Sequence, residues 1–149
     1  MNSAEVAVTR FEQGYSCSQA VFSALAEPRG IDRDLALRVA AGFGGGLARS
    51  GQTCGCLTGA LMAIGLAQSS VSSEENRAAK EKTYERARRL LREFAEHNHS
   101  TLCLDLLGCD ISTPEGLEYA RRTGLFQTRC TPLVRDAVEI AERILAEGA

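Results

Sequence analysis

Six cysteines carry the chemistry open to this chain: Cys17, Cys54, Cys56, Cys103, Cys109 and Cys130. Four of them share a setting. Ser16 and Gln19 fit the S-x-x-Q capping box, which makes Cys17 the first residue of a helix. Cys54 follows Thr53, a cap residue, at the head of an apolar run. Cys103 falls in the first turn of a short helical segment, and Cys130 directly precedes the Thr131-Pro132 that opens the last helix. Exposed N–H groups and the helix dipole favour negative charge at such places. A thiol there can be lowered from a pKa of about 8.5 into roughly the 3.5–7.5 range. The thiolate is both metal ligand and redox nucleophile. Four helix starts brought to one end of a fold would therefore line a pocket with four potential ligands.

Only the fold can bring them together. There is no C-x-x-C pair and no ferredoxin-type run, and the separations are tens of residues. A Cys54–Cys56 disulfide would close a strained, readily reduced ring. The pattern from Gly42 to Leu66 organises the rest. Gly44-Gly45-Gly46 suits either a flexible loop or a backbone that takes unusual angles or approaches something closely, and it lacks the Gly-Lys-Ser/Thr of a phosphate loop. Thr53 is expected to cap a helix from Cys54 to about Gln68 that is apolar all round and hence central. Gly55 and Gly59 lie on one face of it, where a neighbouring helix or a cofactor can come close to the backbone.

The remaining segments also read as helices. Ser3 caps a first one, ended by Gly14; a second runs from Cys17 to Pro28; Asp32 caps a third that ends at Gly42. Val71-Ser72-Ser73-Glu74-Glu75 opens the longest, to about Asn98, with a Tyr84, Ala87, Leu91, Phe94 stripe and opposite-charge pairs such as Glu85–Arg89. His97 and His99 end it, read as surface residues rather than ligands. A short helix stops at Gly108, Thr113-Pro114 starts another, residues 126–129 form a loop, and Thr131 caps the last. No stretch alternates with a period of two. The expectation is an all-α, single-domain bundle of five to seven helices spanning 1–149.

Composition limits the function classes. With 44% hydrophobic and 24% charged residues the chain can build a core without disulfide staples. A net charge of −2 with interspersed signs, and no Trp, argue against a nucleic-acid partner. The longest apolar run, Leu57 to Ala67, is too short to span a membrane, which takes about 20 residues. No signal peptide is visible, and a cytoplasmic location is expected. Six cysteines in that compartment point to metal or redox chemistry. No Ser/His/Asp set or carboxylate pair supports hydrolysis.

The run Gly14-Tyr15-Ser16-Cys17, then Cys54-Gly55-Cys56-Leu57-Thr58-Gly59, then Cys103 ahead of Leu106-Leu107-Gly108, then Cys130 ahead of a Val-x-x-Ala helix, resembles the C_GCAxxG_C_C family of redox-active proteins. The resemblance covers about residues 10–145. It implies that the four characteristic cysteines are Cys17, Cys54, Cys103 and Cys130, with Cys56 standing where the CGAxxG motif has alanine and Cys109 extra. The family is similar to the cluster-binding part of split-Soret cytochromes, which implies an iron–sulfur site; no C-x-x-C-H haem motif occurs here. The leading expectation is an iron–sulfur cluster of unknown type on those four cysteines, for electron transfer or redox sensing with an unknown redox partner protein. Gly55 and Gly59 would give it room, and Cys56 or Cys109 are secondary candidate ligands. The alternatives are a metal-free dithiol/disulfide oxidoreductase or sulfur carrier using Cys54, and a structural Zn module. A homodimer could form on the glycine-faced helix or an exposed cluster edge.

Overall fold

The computed structural model describes residues 1–68 and 72–147. Among them the chain forms eight right-handed α-helices and no strand: α1 Ser3–Glu12, α2 Cys17–Ala26, α3 Arg33–Val39, α4 Gly55–Leu66, α5 Ser73–Asn98, α6 Cys103–Leu107, α7 Pro114–Arg122 and α8 Thr131–Glu147. The all-α class holds, but the count exceeds the expected five to seven. Positive φ at Gly108, the C-cap of α6, and Pro114 at the head of α7 keep the two short helices separate.

Capping chemistry starts most of them. At α2 the Ser16 hydroxyl accepts from the Gln19 amide and the Gln19 side chain accepts from the Ser16 N–H, so Cys17 is the first helical residue. Asp32, Ser72 and Thr113 cap α3, α5 and α7. Val71, read as the lead-in to α5, lies outside the described residues.

Three caps differ from expectation. Asn2, not Ser3, caps α1, because Glu5 stands three residues after Asn2 and completes the box. Thr53 does not cap α4; it forms an isolated antiparallel bridge with Leu102, and Cys54 itself is the N-cap. Thr131 is already helical, because residues 126–130 are a π-helical turn and not the expected loop.

The core is built around α4. Cys56, Leu57, Ala60, Ala63 and Ile64 are buried. Along α2, Gly59 lets the two backbones close: a Cβ there would lie 2.8 Å from the Ser18 carbonyl oxygen. On other sides lie α8, through Val134, Ala137, Val138, Ile140, Ala141 and Ile144, and the C-terminal half of α5, through Leu90 and Phe94. The expected α5 stripe is buried only there, and Tyr84 is exposed. Arg89 pairs with Glu93 and Glu147 instead of Glu85, which ties α5 to the end of α8. A second, smaller apolar cluster gathers Cys103, Leu107, Ile111, Ala120 and Cys130. Cys17 and Phe11 pack against both clusters.

Between α3 and α4 the chain makes one left-handed turn. Gly45, Gly46, Leu47, Ala48 and Arg49 all have φ between +51° and +70°. Amides of Ala48, Arg49, Gly51 and Gln52 close it onto the carbonyls of Gly42, Gly44, Gly45 and Gly46.

Candidate functional site

The helix ends that carry Cys17, Cys54, Cys103 and Cys130 surround one cleft of about 870 Å³. Three devices position the four cysteines. Cys17 opens α2 behind the Ser16 capping box. Cys54 and Cys103 are fastened to each other by backbone: the Cys54 N–H donates to Thr101 O at 2.8 Å, the Cys103 N–H to Gln52 O at 2.6 Å and the Leu104 N–H to Gly51 O at 3.0 Å. Cys130 is the last residue of the π-turn that runs directly into α8. Such turns re-aim side chains and recur at functional sites.

Glycines remove what would block this convergence. A Cβ on Gly46 would lie 2.7 Å from the Cys103 Cβ and 2.5 Å from the Gln52 nitrogen. One on Gly55 would lie 3.3 Å from the Cys17 Cβ, so α4 meets the start of α2 at the cleft wall.

All six thiols are free. Cys54, Cys56, Cys103 and Cys130 are buried, and Cys17 and Cys109 half-buried. Hydrogen bonds from Cys130 and then Cys56 hold Cys17 well below the ordinary thiol range, outweighing its burial. The same bond to Cys17, with burial, pushes Cys130 up. Cys56 is pushed up by its bonds to Cys17 and then Cys54. Burial pushes Cys103 up to about 12, with the charges of Cys54, Cys17 and Cys109 adding to it. Among the thiols whose pKa is displaced, only Cys17 is displaced toward the anion.

A family model described as putative redox-active protein, C_GCAxxG_C_C, matches residues 15–144. The chain belongs to that family. No curated protein and no solved structure matches it. The matched span contains every cysteine of this C_GCAxxG_C_C protein and most of the cleft lining; Phe11, Glu12 and Gly14 lie before it.

The other candidates lie around the cleft. Cys56 is fully buried behind the wall, beside the thiols of Cys17 and Cys54. Cys109 points its thiol at the Gly116 carbonyl, 3.7 Å away. Gly55 lines the cleft, whereas Gly59 spends its open face on α2. His97 Nδ1 lies 3.2 Å from Asp136 on α8, and His99 is the left-handed C-cap of α5. Among the described residues, no three His, Cys, Asp or Glu side chains form a group that could hold a single metal ion. None of their helices is long and apolar enough to cross a membrane.

Sequence reasoning passed over the two cleft residues that carry positive charge, Arg49 and Arg121. Arg49 stands three residues after the last of the three consecutive glycines, and the left-handed backbone around it is invisible in the sequence. Arg121 lies in the last turn of α7, in a charged sequence that reads as solvated surface.

Proposed function

We propose that the cleft holds an iron–sulfur cluster on Cys17, Cys54, Cys103 and Cys130, and that the protein transfers electrons or senses redox state. One observation carries this reading: four thiols from four separate segments of the chain line the same cleft. The donor set suits the group, since clusters are held by four Cys thiolates. The fit also follows from room. The four thiols line a cleft of about 870 Å³, which has room for a group of several irons.

When bound, the cluster would supply one-electron chemistry. The chain's own part is to place four sulfurs, to keep side chains away from them at Gly46 and Gly55, and to shield them with the apolar wall of Leu107 and Ile111. Shielding from water and hydrogen bonding to sulfur are the levers by which a protein sets cluster potential.

A second reading, a metal-free dithiol/disulfide exchanger, is favoured by the contact of Cys17 with both Cys130 and Cys56. In it the Cys17 thiolate attacks a small disulfide and releases one thiol. A neighbouring Cys56 or Cys130 thiolate then attacks the Cys17 sulfur and releases the second, leaving an internal disulfide.

The test is a visible spectrum of anaerobically purified protein, with iron, zinc and acid-labile sulfide measured on the same sample. Matching iron and sulfide are expected, lost in each of Cys17→Ser, Cys54→Ser, Cys103→Ser and Cys130→Ser and retained in Cys109→Ser. A cluster indifferent to Cys17→Ser overturns the ligand set. Zinc without sulfide makes the site structural. A colourless protein that cannot be reconstituted leaves thiol exchange.

A further inference from the structure

The cleft offers more than four thiols. Its apolar side is formed by Phe11, Leu117 and Phe126, and two cations reach it from different elements, Arg49 and Arg121. Among the described residues neither guanidinium makes an ion pair or a hydrogen bond; the single acid on the wall is Glu12. Arg49 is exposed, but the root of its side chain packs locally. Its stem lies across the bare α-carbon of Gly45, so that a Cβ there would come within 2.8 Å of the Arg49 Cγ and 3.3 Å of Ile111 Cδ1. Its own backbone sits at φ +64°. That backbone belongs to the whole left-handed turn and sets where the Arg49 stem lies, over Gly45. A volume of about 870 Å³ is that of a small-molecule site, typically roughly 300–1,000 Å³ with a few placed polar groups.

We infer that the cleft binds a small organic anion beside the cysteines, its apolar body against Phe11, Leu117 and Phe126 and its anionic group between Arg49 and Arg121. Arginine suits that role because its planar fork can meet a carboxylate or sulfonate with two parallel hydrogen bonds. This deepens the reading of the cleft as the redox site: if that reading holds, the anion is the substrate on which the site acts. Binding itself requires only the cleft.

The test uses two fluorescent probes of nearly the same shape on the full-length, metal-free protein. 1-Anilinonaphthalene-8-sulfonate carries an anionic group and N-phenyl-1-naphthylamine lacks it. Arg49→Gln and Arg121→Gln are each expected to raise the Kd of the sulfonate about tenfold, the loss of one charge-assisted contact, and to leave the neutral probe unchanged. Arg129→Gln, on the π-turn but outside the cleft lining, serves as the control and should alter neither. Unchanged binding of the neutral probe shows that the cleft has kept its shape in each variant. Equal responses of the two probes, or an equal effect of Arg129→Gln, would overturn the inference. Reconstitution of the same variants separates it from the proposed function. A cluster that forms in a protein without sulfonate preference refutes only the anion site, and sulfonate preference in a protein that never takes up iron refutes only the cluster.

Discussion

Cys17 lies where the two apolar clusters meet, with the thiols of Cys130 and Cys56 beside it. In metal-free protein its lowered pKa means that thiolate persists below the ordinary thiol range of about 8.5. Iodoacetamide at mildly acid pH, read by mass spectrometry, should therefore label Cys17 first, while Cys103, pushed up to about 12, is among the last. The linkage has a definite sign. A folded-state pKa below the unfolded one contributes stability that is present above the unfolded value and lost as pH falls through the folded value. Cys103 acts oppositely: its contribution is present below about 8.5 and is lost as pH rises toward its folded value. Cys56→Ala removes one of the hydrogen bonds that favour the Cys17 anion and should slow its labelling at acid pH. Labelling led by Cys54 with Cys17 inert would contradict this account. The placement of Cys17 at a helix start was legible from the capping pattern around Ser16, whereas Cys54 was reached through Thr53, which does not cap, and Cys130 ends a π-turn. Which thiol would be the anion was not legible, because that depends on contacts between residues more than a hundred positions apart.

At the scale of elements, the left-handed turn and α4 give a paired prediction. Gly46→Ala puts a Cβ 2.5 Å from the Gln52 nitrogen and 2.7 Å from the Cys103 Cβ, at a backbone φ of +68°. It should lower stability by roughly 1–3 kcal/mol and displace Cys103, so thermal melting falls and, if the proposed cluster is present, iron content falls with it. Gly65→Ala, in the same protein, has nothing within 4 Å and ordinary helical angles. It should stabilise by about 0.4–1 kcal/mol and leave iron content unchanged. A melting temperature unmoved by Gly46→Ala would refute the packing argument. Most helix boundaries could be read locally, since Asp32, Ser72 and Thr113-Pro114 carry their capping chemistry within three residues. Thr53 and Thr131 misled for a shared reason. Each has a cap residue's side chain, but a partner distant in sequence or a preceding π-turn had already settled its backbone.

For the whole molecule, the division into two apolar clusters matters most. The larger one, around α4 with α1, α2, α8 and part of α5, includes neither Cys103 nor Cys130. The smaller one includes both and little else of bulk. If the four cysteines hold the proposed cluster, its loss should therefore leave helical content nearly intact while loosening residues 103–130. Hydrogen exchange read by mass spectrometry should show faster exchange there in metal-free protein and recovered protection on reconstitution, with Leu57–Ile64 unchanged in both. Uniform change across the chain would mean one cooperative unit. The all-α class followed from the absence of any two-residue alternation. The cleft itself did not, because it is formed by what four separate segments leave open between them.

The turn from Gly45 to Arg49 has one more consequence. Its backbone handedness is the one that D-amino acids prefer, and Leu47, Ala48 and Arg49 adopt it against their own chirality, at roughly 1–2 kcal/mol per residue. A chain assembled by chemical ligation with D-alanine at position 48 would thus be relieved by the substitution where any ordinary helix would be broken. In this one stretch, beside its cysteines, the protein is built as its own mirror image.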